Sequence, residues 1–132
     1  MNPYLKYQTA QSYSWTRIDM LLLIYDQAVS SLTEGAKLLE QGRTADLLPV
    51  RLKAMRTLIA IAEGLDLQKG DLPIQILRLV VFAIDQIKTQ SPDAWRSAAD
   101  VMNTLRDGFL EIQEQARTDE YEGRIPALDA VS

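Results

Sequence analysis

The stretch Met20–Ala28, MLLLIYDQA, is the most informative in the chain. On a helix, Leu21, Leu22, Tyr25 and Ala28, continued by Val29 and Leu32, form a stripe at three- and four-residue spacing. That is the pattern one packed core uses. Met20, Leu23 and Ile24 fall partly outside the stripe. Surplus apolar surface on a helix is covered either by another element of the same fold or by a partner.

The signals flanking this stretch extend the helix to residues 17–41. Thr16 is a cap, and Asp19 stands three residues on, well placed for the helix dipole. The inner stripe reads Ile18, Leu21, Leu22, Tyr25, Ala28, Val29, Leu32, Ala36 and Leu39, and Gly42 stops the helix. Residues 1–14, MNPYLKYQTAQSYS, sustain no helical period and read as an irregular N-terminal arm with Tyr4, Tyr7 and Tyr13 to pack.

Three more helical patterns follow, over 47–66, 72–89 and 92–118. The second places Leu48, Leu52, Met55, Leu58, Ile59, Ala62 and Leu65 on one stripe, with Pro49 in its first turn. Asp71 is expected to cap the third, with Pro73 just inside. Between Ile74 and Ile87 this third helix has only Gln75, Arg78, Asp85 and Gln86 as polar residues. It reads as the most buried helix or as a homodimer seam, with the buried reading preferred. Ser91-Pro92 opens the fourth, whose seam of Trp95, Ala98, Met102, Leu105, Phe109, Ile112 and Ala116 alternates steps of three and four. Residues 119–132 are expected to form a loose C-terminal tail. The expectation is a single all-α domain over 1–132, an antiparallel up-down four-helix bundle.

Composition removes several classes of function. Cysteine and histidine are both absent from the 132 residues. There is therefore no thiolate metal site, Ser-His-Asp triad or histidine phosphotransfer relay. A formal charge of −4 disfavours nucleic acid. The longest apolar run is too short to span a bilayer, and no secretory signal is visible, so a cytoplasmic protein is expected. Carboxylates lie scattered without a nucleophile or metal partner, so no enzyme activity, metal or cofactor is expected. Arg51, Lys53 and Arg56 read as a solvated face rather than a site for an acidic partner, because single exposed charges contribute little energy.

Four stretches in this order resemble the flagellar secretion chaperone family, FliS. NPYLKYQ (2–8) is similar to its N-terminal NPYxxYQ, and LLIYDQA (22–28) to its first-helix LMLYDGA. KAMRTLIAIAEGLDLQKG (53–70) is similar to the end of its second helix, and LRDGFLEIQEQA (105–116) to its last. The chain departs from the pattern at Val80–Ile84, VVFAI, where the family usually carries LYDYM, and at Gln27, where it usually carries glycine. Trp15, Arg17 and Asp19 replace a common Ser-Pro-Glu start, and GRIPALDAVS has no counterpart.

The resemblance implies a four-helix antiparallel bundle that binds the disordered C-terminal segment of flagellin, prevents its early polymerisation and delivers it to the export apparatus. Export-gate components are then further partners. Met20, Leu23, Ile24, Tyr25 and Asp26, with Met55 and Leu58 as weaker candidates, are expected to wall the client groove. Tyr4, Tyr7 and Gln8 are expected to cover it. The alternative is a self-associating adaptor that dimerises through the third helix.

Overall fold

The computed structural model describes residues 16–125, and all regular structure among them is helical. The order is α1 (Arg17–Glu40), a 3₁₀ turn (Thr44–Asp46), α2 (Leu47–Glu63), α3 (Asp71–Ile87), α4 (Pro92–Glu111) and α5 (Gln113–Tyr121). The N-terminal arm, with Tyr4, Tyr7 and Gln8, and the last seven residues lie outside the described range.

The termini of α1 form as the sequence predicts. The Asp19 amide donates to the Thr16 hydroxyl at 3.4 Å, and the Asp19 carboxylate accepts from the Thr16 amide at 3.1 Å. Two donors that the helix leaves without partners are thereby satisfied. At the other end Gly42, at φ 70°, turns the chain. Its amide donates to Leu39 O at 3.1 Å and that of Arg43 to Leu38 O at 2.8 Å, closing the last turn. Ser91 caps α4 through the Ala94 amide at 3.2 Å. Asp71 does not cap α3: Gly70, at φ 104°, holds that position and Asp71 sits inside the first turn. The tight turn needs a backbone that only glycine adopts without strain.

Ion pairs fix the running directions. Arg96, early in α4, pairs with Glu40 at the end of α1, and Arg106, late in α4, pairs with Asp26. So α4 runs back along α1. Arg51, early in α2, donates to Ile87 O at 2.7 Å and Thr89 O at 3.2 Å, so α3 runs back along α2. The α1–α4 pairing is the most extensive, and α2 and α3 close the core.

Each of the four long helices contributes a fully buried alanine: Ala28, Ala54, Ala83 and Ala98. Small residues let helix axes approach closely, and large ones then fill the gaps between. Trp95 is the largest fully buried side chain. Its indole N–H donates to Thr89 O at 3.1 Å, and its ring lies against Gly35, where a Cβ would stand 2.2 Å from a ring carbon.

The expected phase of α2 holds only in part: Leu58 is buried and Met55, Ala62 and Leu65 pack against the core. Its buried residues are Leu47, Val50, Ala54, Thr57, Leu58 and Ile61, while Leu48, Leu52 and Ile59 are exposed. Two apolar stripes compete on this helix, and the one with the smaller side chains turns inward. Thr57 is tolerated there because its hydroxyl donates to Lys53 O at 2.8 Å.

The preferred burial of the third helix is also corrected. Ile76, Val80, Ala83 and Ile87 are buried, whereas Ile74, Val81 and Phe82 face out. The seam of the fourth helix holds through Phe109 and fails at Ile112, which is exposed. There the backbone leaves helical geometry (φ −100°, ψ 6°) and α5 begins.

Residues 119–121, expected to open a loose tail, are helical. Helix α5 continues to Tyr121 and closes on Gly123, with the Arg124 amide donating to Asp119 O at 2.7 Å. No helix among the described residues is long and apolar enough to cross a membrane.

Candidate functional site

The break at Ile112 directs α5 onto the start of α1. The anchor is Asp19, which accepts from Arg117 Nη2 at 2.6 Å, Arg117 Nε at 2.9 Å and Gln113 Nε2 at 2.9 Å. Burial by itself would raise the Asp19 carboxyl. Arg117, the Thr16 amide, Gln113 and the Thr16 hydroxyl together outweigh it and hold the group at about 2. Glu120, the one buried carboxylate among the described residues, accepts from the Arg17 amide at 3.0 Å. Asp19 also sits at the positive end of the α1 dipole, which favours its charged form.

Above this clasp the two helices do not close. A furrow of about 690 Å³ runs between Asp19, Leu22, Leu23 and Asp26 of α1 and Glu114, Arg117, Thr118 and Tyr121 of α5. Each set follows the same spacing of three, four and seven residues, so one face of each helix lines the furrow. The α5 wall is polar because its sequence, QEQARTDEY, supplies few apolar groups. The α1 wall supplies them: Leu22 lies at the base, and Leu23 stands 37% exposed. Asp26 is held by Arg106 of α4.

The predicted groove residues divide into three sets. Leu23 and Asp26 line the furrow, and Met20 is half-buried nearby on the same helix. Ile24 is half-buried against the core, and Tyr25 is buried, with its ring 5.5 Å from that of Phe109. Burial pushes the Tyr25 hydroxyl up to about 12, so it stays protonated. Met55 and Leu58 do not join the furrow. Leu58 is fully buried in the core, which corrects its assignment as a client-facing residue. Met55 lies on α2 beside the exposed Leu48, Leu52 and Ile59.

Sequence reasoning missed the whole α5 wall, including Arg117 and Tyr121. The available signal was the acidic, glutamine-rich composition after Ile112, which cannot continue an apolar seam. The basic set also divides. Arg51 ties α2 to the end of α3 and lies over Trp95, 5.9 Å from its ring centroid, so it is structural. Lys53 and Arg56 are exposed. Among the described residues no group of three or more carboxylates is placed to hold a metal ion. Comparison with family models, with curated proteins and with solved structures finds no match to this chain.

Proposed function

We propose that this protein is a cytoplasmic, non-enzymatic export chaperone that binds the disordered C-terminal segment of flagellin. We also read its helices as an antiparallel up-down four-helix bundle with α5 appended. The short connections and the opposed α1–α4 and α2–α3 pairs support that architecture.

The observation that carries the functional reading is Leu23. It is a large apolar residue in the motif stretch 22–28, yet it stands exposed at the wall of a furrow instead of inside the core. The ordered resemblance of residues 2–8, 22–28, 53–70 and 105–116 supplies the identity of the client.

A flagellin end is amphipathic and self-associating, so a carrier must shield its apolar face and then release it. Three or four apolar anchors in a groove gain about 1.5–3 kcal/mol each when fully buried. Ordering the client costs roughly 2–5 kcal/mol of that. The balance gives useful, reversible affinity through helix-in-groove recognition.

Titration with a flagellin C-terminal peptide tests the reading. Binding tighter than about 1 mM, weakened at least tenfold by Leu23→Glu at unchanged helicity, supports it. No binding at that concentration overturns it.

A further inference from the structure

A second apolar surface lies on the outer side of the α2–α3 pair. On α2, Leu48, Leu52 and Ile59 are exposed and Met55 is half-buried. On α3, Ile74 and Val81 are exposed, and Leu77 and Ile84 are half-buried. Both sets lie on the same rotational side of their core stripes, Ala54-Leu58-Ile61 on α2 and Ile76-Val80-Ala83 on α3. In two right-handed helices packed side by side and running opposite ways, flanks of the same rotational sense either face each other or both face away. Arg51 lies on that flank of α2 and bonds the end of α3, which fixes the pairing. Leu52 at 51% and Val81 at 48% exposure are far from core values. Monomers rarely expose large contiguous apolar patches, and such patches rimmed by polar residues mark interaction sites.

The rim is basic and arranged alike on both helices. Arg56 stands four residues after Leu52 and three before Ile59. Arg78 stands four after Ile74 and three before Val81. Both are exposed. Nearby, Asp85 is paired with Lys88 at 3.5 Å, and Glu63 is exposed at the end of α2. Residues 47–89 hold six cations against four carboxylates, whereas residues 16–46 and 90–125 together hold seven against thirteen. The chain is acidic, but this face is not. A second copy docking face to face would set Arg56 and Arg78 against the same residues of its partner, which disfavours self-association.

We propose that the α2–α3 face binds an amphipathic helix whose apolar stripe is flanked by carboxylates, at a site separate from the α1–α5 furrow. The partner helix lays leucine-type anchors at one-turn intervals along Leu48, Leu52 and Val81, while Arg56 and Arg78 receive its flanking carboxylates. Charge then selects the partner, and the apolar stripe supplies the affinity.

The test uses the full chain and two synthetic helical peptides of about 18 residues, long enough for five turns. Both carry the same leucine stripe, one flanked by glutamates and the other by lysines. The glutamate peptide should bind at least about tenfold more tightly. Val81→Glu should abolish its binding, and Leu23→Glu should leave it unchanged. The double variant Arg56→Glu/Arg78→Glu should reverse the preference, which keeps the test valid if Val81→Glu misfolds. Equal affinity for the two peptides, no binding of either at about 1 mM, or loss of binding on Leu23→Glu would overturn the proposal. So would a dimer in sedimentation equilibrium that dissociates on Arg56→Glu/Arg78→Glu and binds neither peptide.

Discussion

The furrow beside α1 and the outer face of α2–α3 both expose leucine, but for different physical reasons. Leu23 is exposed because a polar helix, α5, lies where α4 would otherwise continue its apolar seam. Leu48, Leu52 and Ile59 are exposed because a competing stripe of smaller side chains took the interior. The first surface is a walled channel between acids and a guanidinium. The second is an open strip with arginines at its edges. Exposure alone therefore does not identify a client site. The rim and the reason for exposure separate the two.

The sharpest way to break this comparison is to swap burial on α2. Leu58→Ala should cost about 2–5 kcal/mol, because it empties a filled core position. Leu52→Ala, six residues away, should stay within about 0.5 kcal/mol. Urea denaturation of the two variants measures the difference, and comparable losses would mean that the helix phase is wrong.

Next in size is Gly35→Ala, which drives a methyl into the Trp95 ring. Overpacking of this kind costs roughly 1–3 kcal/mol and should lower the thermal midpoint. Removing the α1 cap with Thr16→Ala should cost about 0.5–2 kcal/mol. Its effect should concentrate in faster amide exchange over the first turn of α1 and the α5 segment docked on it.

Acid gives a graded version of the same experiment. In the folded protein burial is outweighed by the bonds from Arg117, Thr16 and Gln113, which lower Asp19 from the ordinary 3.8 to about 2. A carboxylate with a lowered folded value stabilises above its unfolded value and loses that contribution as pH falls through the folded one. Stability should therefore decline between about pH 4 and pH 2, with α5 losing protection first. Asp19→Asn should flatten that decline. Tyr25 works in the opposite range. Its raised value means that stability holds below about pH 10 and falls as pH climbs towards 12. The smallest expected effect is that of Leu23→Glu on folding, within about 0.5 kcal/mol, since the side chain already meets solvent.

Much of the first helix was legible in the sequence. Thr16 and Asp19 announce its start, Gly42 its end, and a single dominant stripe leaves one way to turn it. The separation of Leu23 from Leu22 and Tyr25 follows from the same spacing. Helix α2 was legible as a helix but only partly in its orientation, because two stripes of similar hydrophobicity lie side by side on it. The α1 wall of the furrow was readable in part, from Leu23 and Asp26. Its α5 wall was not, since Arg117 lies 98 residues from Asp19 in sequence and becomes its neighbour only when the helices pack.

Local chemistry, acting within a turn or two, was enough to specify all-helical structure, most helix boundaries and the inward face of α1. Which stripe of α2 turned inward, where α4 broke and what came to face Leu23 depended on fitting four helices around alanines and one tryptophan. Those are volume constraints between distant segments, and periodicity along one segment does not contain them.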